Sequence, residues 1–239
     1  AMAHDCPDIQ MALLNCKASA SLTALLASDS EETAEAAVAA LLCLAEHPSS
    51  QKIVIRRLVD VLNGRSTSAQ LKAAEALAVL SSRSGTIRQM ILKAGGIEPL
   101  VGLLGNGSRG DKNTPPERAA AILADLARIA ESKTEIARAM GIGPLVMMLS
   151  SDCEEAQQNA ACALFPLSMN ADNKVGITTT GGIQRLVNLL STGTTGTGDA
   201  MRYAAGTLWQ LATSADNKSA IVNANGIPPL VAVLQLEDP

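Results

Sequence analysis

Apolar residues recur along the chain at i, i+3, i+4 and i+7, and the recurrence comes in blocks. Ala-rich blocks run into Leu-x-x-Leu: "AVAALLCLA" from Ala37, "AAEALAVLS" from Ala73, "AAAILADLA" from Ala119, "AACALFPLS" from Ala160 and "AAGTLWQLA" from Ala204. That spacing lines one face of a helix, so each block predicts an amphipathic helix. A second phrase precedes four of them or closes the chain: "GGIEPLVGLL" (Gly95–Leu104), "MGIGPLVMML" (Met140–Leu149), "GGIQRLVNLL" (Gly181–Leu190) and "NGIPPLVAVL" (Asn225–Leu234), with a degraded copy, "VIRRLVDVL", at Val54–Leu62. Ile183, Leu186, Val187 and Leu190 superpose on Ile227, Leu230, Val231 and Leu234 with a shift of 44 residues. A fixed period in the range of 20–50 residues signals stacked supersecondary units. Each unit reads as a short helix ("NKVGITTT"), a Gly-containing turn, a second helix ("IQRLVNLL"), a loop and a longer third helix.

Helix starts carry polar punctuation. "TPPE" at Thr114–Glu117 offers a capping hydroxyl, Pro at the first helical positions and Glu three residues on, and "DSEE" (Asp29–Glu32) and "DCEE" (Asp152–Glu155) read as further capping boxes. "ADNK" occurs twice, at Ala171–Lys174 and Ala215–Lys218, where a first helix begins. Asp and Asn there are expected to accept from free backbone amides. Ser132 and Glu135 hold the corresponding start one repeat earlier, and Lys133 aligns with Lys174 and Lys218, a solvated or locally paired amine.

Composition narrows the classes. The apolar fraction is 47% but aromatic residues are only 1%, so the core is built from Ala, Leu, Ile, Val and Met, which favours closely packed helices. A net charge of −4, with both signs scattered, supplies no basic field for nucleic acid and no polybasic stretch for a membrane. The longest apolar run, around Ala36–Ala45, is about ten residues, well short of the roughly 20 of a membrane span. Five cysteines (Cys6, Cys16, Cys43, Cys153, Cys162) without C-x-x-C spacing read as reduced thiols, which points to a cytoplasmic or nuclear location. The opening "AMAHD" has neither a basic region nor an apolar one and looks like an expression scar.

Three helices per roughly 40–45 residues, with Gly-Ile-x-x-Leu-Val-x-x-Leu in the second and an Ala-rich third, resemble the armadillo repeat from about Ala18 to Leu236. The resemblance implies an all-α fold, a right-handed α-solenoid of about five to six repeats: roughly 18–47, 48–83, 84–131, 132–170, 171–214 and a partial 215–236. HEAT repeats, with two helices and no Gly-Ile turn, are the nearest alternative. The last second helix, "PPLVAVL", is not followed by a third, so either the chain continues or that open apolar face meets another chain.

In armadillo solenoids the third helices line the concave groove, so their registers define candidate sites. The register Leu42, Ala78, Ala124, Phe165, Trp209 is apolar throughout and is expected inside the stack. The registers Ala36, Lys72, Arg118, Asn159, Tyr203, then Ala39, Glu75, Ala121, Cys162, Gly206, then Cys43, Val79, Asp125, Pro166, Gln210 change character from repeat to repeat. They supply the candidate partner-binding residues Lys72, Glu75, Arg118, Asp125, Asn159, Tyr203 and Gln210. Importin alpha has a similar architecture with a Trp and an Asn four residues later on its third helices, and no repeat here carries that pair. The armadillo domains of plant U-box ubiquitin ligases and of adaptors, with similar "DNK" and "GGI" phrases, are closer. The expected function is a non-catalytic scaffold that holds an extended or helical segment of another protein. The alternatives are an oligomerisation module with an idle groove, and the substrate-recognition region of a ubiquitin ligase.

Signs of catalysis are weak. "GNGSRG" (Gly105–Gly110) fits G-x-G-x-x-G, but a helix rather than a strand precedes it, and Asp111 stands where a phosphate-loop Lys belongs. It reads as an insert over 105–115, matched by "STGTTGTG" at Ser191–Gly198. His4 and His47 have no metal-ligand neighbours, so no cofactor or metal is expected, and the sequons at Asn106 and Asn217 carry little meaning in an intracellular chain.

Overall fold

The structure, a computed structural model, describes residues 18–105, 114–192 and 198–236. The inserts at 106–113 and 193–197, and the N-terminal residues with Cys6, Cys16 and His4, lie outside the described residues. Two compact units divide between Gly102 and Leu103. The first holds α1 (Ala18–Leu25), α2 (Glu31–Leu44), α3 (Pro48–Leu62), α4 (Thr67–Arg83), α5 (Gly85–Lys93) and most of α6 (Ile97–Leu104). The second holds α7 (Pro115–Leu126), α8 (Ala130–Arg138), α9 (Ile142–Met148), α10 (Glu154–Leu167), α11 (Ala171–Thr179), α12 (Gly182–Thr192), α13 (Gly198–Leu211), α14 (Ala215–Asn223) and α15 (Ile227–Leu236).

The third helices α2, α4, α7, α10 and α13 bury three registers. Ala37, Ala73, Ala119, Ala160 and Ala204 form one, Leu41, Leu77, Leu123, Leu164 and Leu208 the next, and Leu44, Leu80, Leu126, Leu167 and Leu211 the third; none of the fifteen is more than 2% exposed. Ala lets neighbouring axes approach while Leu fills the space beyond it, each buried Leu contributing about 1.5–3 kcal/mol. In the second unit α10 packs against both α7 and α13, so the third helices form one layer there. The expected core register one residue further on is corrected. Of Leu42, Ala78, Ala124, Phe165 and Trp209, only Ala124 is buried, and Trp209 is 71% exposed. One helical step of about 100° carries these residues off the buried face toward solvent.

The Gly turn is a helix C-cap. Gly95, Met140, Gly181 and Asn225 have φ of 76°, 62°, 79° and 56°. In three of these turns the next residue's N–H reaches five residues back (Gly96 to Ile91, Gly141 to Ile136, Gly226 to Ile221), while the left-handed residue bonds three back, a Schellman motif. The following glycine is needed for space: a Cβ on Gly182 would lie 2.6 Å from both the Ile177 carbonyl oxygen and its Cγ2. Eleven residues separate each N-cap from the left-handed residue: Ser84 to Gly95, Ile129 to Met140, Asn170 to Gly181, Ser214 to Asn225. The second repeat departs from this. Only six residues separate N-cap His47 from Ile53, the position matching Gly95, no glycine intervenes, and the first and second helices run on as the single 15-residue α3.

Several expected caps move. Ser30, not Asp29, caps α2, its hydroxyl accepting from Thr33 N–H at 3.3 Å. Glu117 accepts from Thr114 N–H at 3.1 Å, as "TPPE" predicts. "DCEE" forms no capping box: Cys153 is the N-cap and makes no side-chain cap bond. In the first "ADNK" the cap is Asn170, whose Oδ1 accepts from Asp172 and Asn173 N–H at 2.9 and 3.1 Å. Ser214 is the N-cap in the second. The Asn of each motif points inward instead. Asn173 donates to the Lys133 carbonyl at 3.2 Å, one repeat back, and Asn217 donates to the Leu211 carbonyl at 3.0 Å while accepting from Thr178 at 3.2 Å. Their register continues as Ser50, which donates to the Leu44 carbonyl at the end of α2, and as buried Ser132, whose hydroxyl has no partner among the described residues. In α5 apolar Ile87 holds this register, and the neighbouring Arg88 reaches the corresponding Ser81 carbonyl at 2.8 Å.

These turns give opposite expectations for two substitutions. Met140 is 77% exposed at φ 62°, so Met140→Gly relieves left-handed strain without losing packing and raises stability by about 0.5–1 kcal/mol. Gly182→Ala drives a Cβ into Ile177 and lowers stability by about 1–3 kcal/mol. Urea unfolding of both variants measures the two signs.

Candidate interaction surface

In the second unit the solvent-facing strip of the third helices carries Arg118 and Asp125 on α7, Asn159 and Cys162 on α10, and Tyr203, Gly206 and Gln210 on α13, all half-buried. Polar bonds run from helix to helix along it. Arg118 Nη1 meets Glu155 Oε1 of the next repeat at 3.1 Å, and Asn159 Nδ2 donates to the Glu117 carbonyl at 3.4 Å. Gly206 leaves room for the Phe165 ring, since a Cβ there would lie 2.8 Å from Phe165 Cε2. The Phe165 and Tyr203 rings are tilted by 40° with centroids 6.1 Å apart, and the Arg202 guanidinium lies 5.3 Å from the Tyr203 centroid.

Tyr203 also hydrogen-bonds the Cys162 thiol, and that bond is the main cause pushing its phenol pKa above the ordinary value. Burial pushes the Cys162 thiol up as well, against the lowering effects of Tyr203 and Arg128, with Asp125 adding to the rise. Two groups held in their neutral forms make this corner a hydrogen-bonding surface rather than a thiolate nucleophile.

The first unit places Lys72 and Glu75 on α4. Lys72 Nζ lies 3.4 Å from Glu75 Oε2 and 3.9 Å from Glu35 Oε1 on α2, with the lysine side chain only 13% exposed. Of the seven sequence candidates, the structure thus joins Lys72 to Glu75, and brings Arg118, Asn159 and Tyr203 onto successive helices of one layer with Asp125 near Cys162. Gln210 lies at the far end of α13. Sequence reasoning missed Glu35, Glu155 and Arg202, which complete these contacts. Glu155 and Asn159 share a helical face four residues apart, a signal available in the sequence, whereas the reach from Arg118 to Glu155 depends on how α7 and α10 pack.

Among the described residues no three His, Cys, Asp or Glu side chains are grouped to hold a metal, and no helix is long and apolar enough to cross a membrane. Cys43, Cys153 and Cys162 are free. Cys153 is buried beside Glu117, and burial first, then the bond to Glu117, raises its pKa. The sequon residue Asn217 is buried and bonded, which makes it a poor acceptor for glycan.

No sequence-family model and no curated protein matches the chain. Solved structures do. A crystal structure of an engineered protein is 31% identical, with a TM-score of 0.73 over 92% of this chain and 90% of that one. A designed armadillo repeat protein in complex with the peptide (KR)4 is 21% identical, with a TM-score of 0.72 over 91% and 92%. A chain from a structure concerned with a phosphorylation switch in the interaction between cadherin and beta-catenin is 18% identical, with a TM-score of 0.75 over 91% of this chain and 41% of that one. The chain has the armadillo-repeat fold.

The Arg118–Glu155 pair is partly exposed on both sides and is expected to be weak. A double-mutant cycle with Arg118→Ala and Glu155→Ala should give a coupling below about 1 kcal/mol in urea unfolding. Such a pair can be exchanged for contacts to a ligand at little cost.

Proposed function

We propose that the chain is a non-catalytic protein-interaction module that holds an extended or helical segment of a partner against the exposed strip of its third helices. In the second unit Arg118, Asp125, Asn159, Tyr203 and Gln210 make the contacts; in the first, Lys72 and Glu75 do. The observation that carries this reading is the contrast between registers. The buried ones repeat Ala and Leu in every third helix, while the strip beside them presents a different side chain each time, such as Lys72, Arg118, Asn159 and Tyr203 in one register. Scaffold positions are held constant and surface positions differ.

Recognition is also what two similar structures concern, one with a bound peptide and one with the interaction of cadherin and beta-catenin. Affinity then accumulates from several weak contacts in series, each factor of ten in Kd requiring about 1.4 kcal/mol. The free thiols fit a reducing compartment, the cytosol or nucleus.

Selection of a random displayed-peptide library against the 239-residue chain tests this. Enriched peptides should lose binding to a variant with Arg118, Asn159, Tyr203 and Gln210 all changed to Ala, while its helical circular dichroism is retained. Peptides that bind the variant as tightly as the wild type would place recognition elsewhere.

A further inference from the structure

Pro166 lies inside α10, one residue before its end. It has no N–H to donate to the Cys162 carbonyl four residues back, so that acceptor lacks its usual partner within the helix. Residues four apart share a helix face, and here the face is the strip: Cys162 and Pro166 are both half-buried on the third helix that α7 and α13 flank. The fold does not require a proline at this point. Cys43, Val79, Asp125 and Gln210 hold the same register on the other third helices.

The surface around this carbonyl is neutral at its centre and balanced at its borders. The Phe165 and Tyr203 rings meet beside Gly206, and the Cys162 thiol is bonded to the Tyr203 phenol. The bordering charges come in opposite pairs. Arg118 lies 3.1 Å from Glu155 and Arg202 lies 2.7 Å from Asp199, while Arg128 and Asp125 act on the Cys162 thiol in opposite directions. A partner carboxylate that took Arg118 would meet the released Glu155, and a partner amine that took Glu155 would meet Arg118. Either charge would also lose hydration against the two rings.

We propose that α10 receives the main chain of an uncharged, extended segment of the partner protein: one amide N–H of the segment donates to the Cys162 carbonyl, and an apolar side chain beside it lies on Phe165 and Tyr203. This rests on the third-helix strip being the binding face and names what that face selects. Net charge on the segment gains nothing there. A backbone amide supplies the donor that Pro166 lacks.

The probe is the most enriched peptide of the library selection on the 239-residue chain, labelled with fluorescein and followed by anisotropy. Its Kd should change by less than about threefold when NaCl is raised from about 0.05 to about 0.5 M. Pro166→Ala returns an N–H to the helix, so it should raise the melting temperature and weaken the peptide by about fivefold or more. Methylating each peptide amide nitrogen in turn should find one position that weakens binding to the wild type and has no further effect on Pro166→Ala. That non-additivity separates a lost hydrogen bond from a general change in the helix. The proposal alone is overturned if a strip-dependent peptide is polybasic or polyacidic and loses about tenfold or more with salt, if Pro166→Ala binds as tightly as the wild type, or if the methylation and Pro166→Ala effects simply add. A peptide that binds the Arg118, Asn159, Tyr203 and Gln210 variant unchanged overturns the strip reading and this proposal with it.

Discussion

Each third helix has to bury Ala and Leu on the sides it turns to its neighbours, and in the second unit α10 meets this demand against α7 and α13 at once. Close approach requires Ala at positions such as Ala119, Ala160 and Ala204, because a larger side chain would push the axes apart. Satisfying the core on two flanks and against the second helix leaves one strip of each third helix for solvent. The strip with Arg118, Asn159 and Tyr203 is therefore a by-product of packing, set beside the buried Ala and Leu registers rather than within them.

The ends of the helices are governed by unpaired carbonyls and by backbone handedness, and different residues solve the same problem. The carbonyl at or near the end of a third helix is taken by Ser50 after α2, by Arg88 after α4 and by Asn217 after α13. The left-handed residue is Gly in two turns, Met140 in one and Asn225 in another. What repeats is a position with a physical task. The two "ADNK" motifs look reactive because an acid, an amide and an amine adjoin, yet each Asn is a buried tie to neighbouring backbone, and Lys174 reaches Thr213 of the next repeat.

The helices and their order were legible because burial imposes the 3.6-residue period and the Gly-Ile turn imposes a fixed length. That the candidate residues of the strip lie beside the buried Ala and Leu positions and are half-buried followed from the same geometry. The apolar register ending in Trp209 did not, since hydrophobicity alone does not say which face of a helix is turned to the core, and one step past the Leu register already points toward solvent. The fusion of two helices in α3 was visible as a missing glycine and a short spacing from His47 to Ile53. Cross-helix partners such as Glu155 for Arg118 and Glu35 for Lys72 were not legible, because they depend on packing between residues 37 positions apart in both cases.

If the third-helix strip rather than the outer helices holds the partner, a reactive probe on the strip will lie against it. Site-specific photo-crosslinking tests this most directly, with benzoylphenylalanine in place of Gln210 on α13 or of the exposed Gln184 on α12, each mixed with a peptide selected on the wild-type chain. Adducts from position 210 and none from position 184 are expected for a partner held on the strip. Adducts from position 184 alone would contradict it.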